Sequence, residues 1–284
     1  MKQIFITGAT SGIGLAAACK LASDGSRIIA TARTAEKGNI LISRYKSHYP
    51  LGKGSIEIVV CDLSSFESIV KACNEVKTKT DHLDVIINNA GLWNFSYRES
   101  SNKIEETLHV NVLAPLLINH LLLDHLLISK EAKSIFAASG LHQGDVNFND
   151  LESKKDFSGF RAYRQSKLEV ILLCRLLSKK LEKFNIGVYC EHPGLVNTKL
   201  GRDANWFSNL FFQLMGVPPE KGAETIIYLA EENKSKLISG EYYTKKVVKK
   251  ITPQSYDLQV AEKLLISLKP YLANYLGKSS AIFE

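Results

Sequence analysis

Near the start of the chain a short apolar run, Gln3 to Thr7, breaks into Gly8-Ala9-Thr10-Ser11-Gly12-Ile13-Gly14. It continues as a helical pattern to Ser23, with Ile13, Ala16, Ala17 and Leu21 apolar. Three glycines between a strand and a helix remove Cβ atoms where the backbone must approach something closely, and they leave N–H donors at a helix N-terminus. A pyrophosphate needs both. Many tight turns contain glycine. The position of this one, after a strand and opening a helix, points to dinucleotide binding. Thr10, Ser11 and Ile13 lie in the same loop and are expected to share the contact with Gly8, Gly12 and Gly14.

The alternation that begins there runs on. Arg27–Thr31, Ser55–Cys61, Leu83–Asn88, Lys133–Ser139 and Ile186–Glu191 read as further strands, and 239–244 as a last one. Helical patterns cover about 34–48, 64–79, 102–128, 159–184, 204–215, 219–232 and 256–276. Continuous apolar strands, each followed by a helix, predict a parallel sheet buried on both faces. Right-handed crossovers then make it an α/β fold of Rossmann type, a doubly wound parallel sheet. No Pro- or Gly-rich linker divides the chain, so 1–284 is read as a single domain. Residues 1–200 form its cofactor-binding and catalytic core. Residues 201–284 supply a helical substrate-binding segment, the last strand and a C-terminal helix.

Composition narrows the class. Hydrophobic residues are 45% and charged residues 23%, the balance of an ordinary globular protein. The net charge is +7, but no zinc-finger spacing, basic zipper or RNA-binding aromatic box accompanies it. A solvated basic surface is preferred to nucleic-acid binding. Cys19, Cys61, Cys73, Cys174 and Cys190 contain no C-x-x-C pair and are read as reduced, buried thiols. No histidine motif suggests a metal. Leu113–Ile128 is apolar but holds Asn119, His120, Asp124 and His125, too short and too polar to span a bilayer. A strand pattern from Lys2 leaves no room for a signal peptide, so a cytoplasmic protein with at most peripheral membrane contact is expected.

The spacing G-x-x-x-G-x-G resembles the short-chain dehydrogenase/reductase family, and further landmarks follow in order. They are Asp62-Leu63 after the third strand, Asn88-Asn89-Ala90-Gly91 after the fourth, Asn111 in the next helix, Ser139, Tyr163-x-x-x-Lys167, and Pro193-Gly194 after the sixth strand. The resemblance covers essentially the whole chain. The 24 residues from Ser139 to Tyr163 exceed the usual spacing. With Asn147–Glu152, Phe160–Lys167 and His192-Pro193-Gly194, that insert is similar to the retinol-dehydrogenase-like subgroup, which includes WW-domain oxidoreductases. The family usually has Ser-Ser where this chain has Ala138-Ser139, which leaves only Ser139 for the role.

The resemblance implies that Asp62 and Leu63 border an adenine, and that Asn89, Ala90, Gly91, Pro193, Gly194 and Val196 line the cofactor. It also implies that Thr198 meets the nicotinamide amide, that Lys167 holds the nicotinamide ribose, and that Asn111 seats a relay water. A homodimer pairing through helices near 112–128 and 160–184 is implied in the same way. The residues themselves say more. The second strand ends Ala30-Thr31-Ala32-Arg33, with no acid before Glu36 to bind ribose hydroxyls, so Arg33 is expected to grip a 2′-phosphate and the cofactor to be NADP(H). Tyr163 and Lys167 share one helix face, where the ammonium should lower the tyrosine pKa. Tyr163 then serves as general acid/base and Ser139 as hydrogen-bond donor to the substrate oxygen. Trp206, Phe207, Leu210, Phe211, Phe212, Leu214 and Met215 suit either a lid over a small hydrophobic carbonyl or alcohol substrate or a subunit or membrane contact. Trp93 and the 140–158 insert are candidates to complete that pocket. The competing readings are a catalytically silent dinucleotide sensor or interaction protein and, less suited to the length, an extended-family epimerase. Lys245, Lys246, Lys249 and Lys250 form a cluster without an assigned role.

Overall fold

The structure, a computed structural model, describes residues 1–194, 217–277 and 281–283. The expected 204–215 helix with its apolar side chains, Val196 and Thr198 lie outside the described residues.

Among the described residues the strands are β1 (Gln3–Ile6), β2 (Arg27–Ala32), β3 (Ser55–Val60), β4 (Val85–Asn88), β5 (Lys133–Ala137), β6 (Gly187–Glu191), β7 (Tyr242–Thr244) and β8 (Val247–Val248). They form one sheet in the order β3-β2-β1-β4-β5-β6-β7-β8. All neighbours are parallel except β7 and β8. The strand order reverses beside β1, and the crevice at the carboxyl ends of β1 and β4 is where such sheets bind ligands.

The helices are α1 (Gly12–Ser23), α2 (Ala35–His48), α3 (Phe66–Lys79), α4 (Glu106–Leu108), α5 (Ala114–Leu121), α6 (Leu123–Leu127), α7 (Gly159–Glu182), α8 (Pro219–Glu231) and α9 (Leu258–Leu272). They cover both faces. Phe5, Ile29 and Ile86 point into one core with α3, α5, α7 and α9, while Ile4, Ile6 and Ile28 point into a second with α1, α2 and α8. Successive strand side chains alternate between the two, which is why the strands read as unbroken apolar runs. The five cysteines are buried and unpaired. No described helix is long and apolar enough to cross a membrane.

Three features differ from the sequence expectations. The single helix expected over 102–128 is broken, because α4 passes into a π turn at His109–Leu113 before α5 and α6 follow. Strand β5 stops at Ala137, which leaves Ser139 beyond the sheet. The last strand is shorter than 239–244 and doubles back through Lys245 and Lys246, both with positive φ, into β8. Two valines give too short a pattern to show as a strand.

Lys133 is fully buried at the start of β5. Its ammonium donates to the carbonyls of Leu229, Ala230 and Glu232 at 2.9, 2.9 and 2.6 Å, closing the C-terminal end of α8 with a cation. Lys133→Met takes this donor from the Leu229 and Glu232 carbonyls, while Ala230 keeps the Lys2 ammonium at 3.0 Å. The expected loss is about 3 kcal/mol, which in a chain of this size lowers Tm by roughly 6 °C. Calorimetry checks this, and a Tm unchanged within a degree would contradict the role.

Candidate active site

The glycine loop is held closed by its neighbours. Gly8 has φ +69, and a Cβ there would sit 2.8 Å from Ala90 Cα. At Gly14 a Cβ would come within 2.3 Å of the Gly8 carbonyl oxygen and of Asn89 Nδ2. Asn89 Nδ2 donates to the carbonyls of Thr7 and Gly8, and Ala90 N–H donates to Thr7 Oγ1, so the loops after β1 and β4 are stitched together. Ser11 caps α1 without a side-chain hydrogen bond, and the first turn of α1 contains no acid. Its N–H groups are therefore left for an anion. Thr10, Ile13 and Gly12 are half-buried around this opening and Ser11 is exposed. A cradle that a Cβ would fill, with uncapped donors, fits the pyrophosphate of a dinucleotide.

Arg33 follows the carboxyl end of β2 and is exposed, with no ion pair among the described residues. Asp62 is exposed at the end of β3, where its carboxylate accepts from the N–H and hydroxyl of Ser64, and Leu63 is half-buried beside it. Pro193 and Gly194 are half-buried beyond β6, with Gly194 at φ +87.

The acid–base group converges next to this crevice. Ser158 caps α7 by accepting from the Arg161 N–H, so the helix begins one turn before Tyr163. Tyr163 and Lys167 follow on one face, with the lysine Nζ 5.7 Å from the tyrosine ring centroid. Lys167 Nζ donates to the Ala137 carbonyl at 2.9 Å. Ser139 Oγ accepts from the Leu141 N–H at 3.1 Å and is hydrogen-bonded to Tyr163. Asn111 lies in the π turn, a place where such bulges often mark functional sites. Its Oδ1 accepts from Leu92 N–H at 2.9 Å, and its Nδ2 donates to Leu92 O and Ser166 Oγ, both at 3.0 Å. This amide ties the loop after β4 to α7. Gly91 fills the gap between, where a Cβ would meet Asn111 Oδ1 at 3.3 Å and Lys167 Nζ at 3.4 Å. Trp93 stacks on the Tyr163 ring, centroids 4.6 Å apart at 9°.

The model of the family described as short chain dehydrogenase matches residues 2–207. The chain belongs to the short-chain dehydrogenase/reductase family. Human retinol dehydrogenase 14 is 34% identical over 285 residues, covering 93% of this chain and 84% of that protein. Human retinol dehydrogenase 12 is 30% identical over 266 residues, covering 93% and 84%. Human polyprenol dehydrogenase is 32% identical over 270 residues, covering 91% and 81%. These relatives put the chain in the retinol-dehydrogenase-like subgroup. Among solved structures, an uncharacterised protein from Mycobacterium paratuberculosis matches with a TM-score of 0.77 at 22% identity, covering 96% of this chain and 94% of the other. A metagenomic short-chain oxidoreductase in complex with NADP matches with a TM-score of 0.64 at 24% identity, covering 84% and 94%. Both likenesses carry the fold. As a member of the family the protein is an oxidoreductase of alcohol or carbonyl groups on small molecules and uses a nicotinamide dinucleotide.

The electrostatics of this short-chain dehydrogenase/reductase differ from the sequence expectation. Burial pushes the Tyr163 hydroxyl up to about 12, against the opposing hydrogen bond from Ser139. Desolvation of the phenolate is the larger cause here. Lys167 is itself drawn down to about 8 by burial, with Glu191 acting to raise it. Glu191 is a residue that motif reading passed over. It is 0% exposed at the end of β6, and neither carboxyl oxygen has a hydrogen-bond partner among the described residues. Burial raises its carboxyl to about 8, and Lys167 opposes the rise. A glutamate closing the apolar run Gly187-Val188-Tyr189-Cys190 was the available signal.

Proposed function

We propose that the protein is an NADP(H)-dependent oxidoreductase that transfers a hydride between the nicotinamide and a hydrophobic carbonyl or alcohol substrate, with Tyr163 as general acid/base. The observation that carries the reading is the meeting of Ser139, Tyr163, Lys167 and Asn111 at the carboxyl ends of β4 and β5, beside the glycine cradle. A nicotinamide dinucleotide bound in the crevice supplies or takes up the hydride. The Gly8–Gly14 loop with Thr10, Ser11 and Ile13, the Asn89–Gly91 turn, Asp62-Leu63 and Pro193-Gly194 would hold it.

For reduction, the Tyr163 hydroxyl gives its proton to the substrate oxygen as that oxygen gains negative charge. Ser139 donates a second hydrogen bond to the same oxygen. Lys167 places a positive charge beside the phenolate that results, and Asn111 fixes the loop and helix that hold the pair. The Trp93 ring covers the face of Tyr163 and keeps water from it. In alcohol oxidation each proton moves in reverse. Tyr163→Phe tests the assignment, as argued in the Discussion.

Arg33 supports NADP(H) over NAD(H). No acid stands at the end of β2, and an exposed guanidinium is suited to a 2′-phosphate by paired, charge-assisted hydrogen bonds. Arg33→Ala is expected to weaken NADPH at least about tenfold and to leave NADH within about twofold, as measured by quenching of tryptophan fluorescence. Equal weakening of both would reject the preference. The names of the relatives, dehydrogenases of retinol and of polyprenol, favour an apolar substrate.

A further inference from the structure

A cavity of about 350 Å³ opens beside Ser139, between the loop that follows β5, the end of β6 and the strand-to-helix segment after β8. It is lined by Gly140, His142, His192, Tyr242, Lys249 and Lys250, among others, and no described lining residue is acidic. The lysine cluster of the sequence divides here. Lys245 and Lys246 form the β7–β8 turn, where Lys246 pairs with Glu224 at 3.1 Å. Lys249 and Lys250 run on past β8 to the cavity. The Lys249 N–H is anchored to the Tyr242 carbonyl at 2.9 Å.

The two imidazoles have assignable protons. His142 Nδ1 lies 2.8 Å from the Ser139 carbonyl oxygen. A carbonyl only accepts, so Nδ1 carries the proton. Burial holds the ring in its neutral form, which leaves Nε2 as an acceptor. That atom is buried, in a residue only 6% exposed, and has no hydrogen-bond partner among the described residues. His192 has the opposite tautomer, because its Nδ1 accepts the Gly140 N–H at 3.1 Å and its proton is therefore on Nε2. The Tyr242 ring packs near both, 5.5 Å from the His142 imidazole and 6.4 Å from that of His192. The cavity is thus lined by His142, which carries an unsatisfied nitrogen, by His192 with its N–H donor, and by Lys249 and Lys250, with no carboxylate among the described lining residues. A buried polar atom without a partner is costly unless a ligand or water satisfies it.

We propose that this cavity is a subsite for an anionic oxygen group, carboxylate or phosphate, at one end of the substrate, so that the preferred substrate is an apolar carbonyl or alcohol compound bearing a distal anion. Lys249 and Lys250 supply the charge, and His192 Nε2–H donates to one ligand oxygen. His142 takes up a proton on Nε2 when the anion arrives and donates to a second oxygen. Its Nδ1–H goes on donating to the Ser139 carbonyl, so the subsite is linked through one residue to the hydroxyl that meets the reacting oxygen. The inference rests on the catalytic reading of Ser139 and Tyr163 and extends it to the substrate.

The test compares decanal with 10-oxodecanoate, equal in chain length and differing in the terminal charge, in the full chain with NADPH. The expected kcat/KM is at least about tenfold higher for the carboxylate. This preference should vanish in a Lys249→Ala/Lys250→Ala variant while decanal turnover stays within about twofold. A Lys245→Ala/Lys246→Ala variant carries the same charge change away from the cavity and should keep the preference. Equal turnover of both aldehydes, unchanged by either double variant, overturns the subsite. A binding readout separates this outcome from failure of the catalytic reading. Titration with decanedioate, followed by NMR of the histidine rings, should shift His142 and His192 in wild type and not in Lys249→Ala/Lys250→Ala, whether or not either aldehyde turns over. Absence of those shifts in the wild type also overturns it. A phosphate-ended analogue of the same length that binds more tightly than the dicarboxylate would identify phosphate as the preferred anion.

Discussion

Tyr163→Phe is expected to lower kcat by about three orders of magnitude, the middle of the range for removing a positioned proton donor, and to leave dinucleotide affinity within about twofold. The change deletes one oxygen. The ring keeps its stack on Trp93, and Lys167 keeps its bond to the Ala137 carbonyl, so the helix face and the crevice hold their shape. What is lost is the proton that burial keeps on the hydroxyl throughout the neutral range. Stopped-flow measurement of NADPH oxidation with an aldehyde substrate, together with equilibrium titration of NADPH, checks both halves. Turnover unaffected by the change would remove Tyr163 from the chemistry. A wild-type protein that binds NADPH but turns over none of a panel of aldehydes, ketones and quinones would favour the silent-sensor reading.

The parts of this molecule that were legible in sequence are those in which one residue type is compelled by local geometry. Gly8 and Gly14 face backbone at distances that no side chain tolerates, so the loop announces itself. Tyr163 and Lys167 are four apart because one helix turn brings them together. The strand runs read clearly because both faces of the sheet are covered. Features made by distant segments were not legible. The π turn at Asn111 follows no local pattern, since the bulge is stabilised by bonds to Leu92 and Ser166 from elsewhere in the chain. His142 and His192 lie 50 residues apart in sequence and meet only across β5 and β6. The Tyr163 hydroxyl, expected to be lowered, is instead raised by burial, a property of the assembled core that spacing does not carry.

Glu191 is the second residue at which a large effect is expected, and the effect is opposite for stability and activity. Its carboxyl is buried, without a hydrogen-bond partner among the described residues, and raised from an ordinary value of 4.5 to about 8. A group whose folded pKa is raised contributes stability below its unfolded pKa, and that contribution is lost as pH climbs through the folded value. Between about pH 4.5 and 8, wild-type stability therefore declines on account of this group. Lys167, lowered from 10.5 to about 8, acts with the opposite sign but in the window above 8. Glu191→Val removes the buried carboxyl and with it the decline. The variant should be more stable at pH 8 by on the order of 2 kcal/mol, with a smaller gain at pH 5. The same change takes from Lys167 the carboxylate that raises it, in a pocket that also holds His192, Tyr163, Tyr242 and Cys190. The lysine then loses its proton at lower pH, and the basic limb of kcat/KM should move down by about one unit, a tenfold loss on that limb, while activity at pH 6 stays within about twofold. Calorimetry at both pH values and a pH–rate profile check the pair of effects. A variant less stable than wild type at pH 8, or one with an unmoved basic limb, would show that Glu191 does not act as the buried counter-charge of Lys167. The combination of a stabilised fold with a narrowed pH range is what removing a buried carboxyl that raises Lys167 should produce.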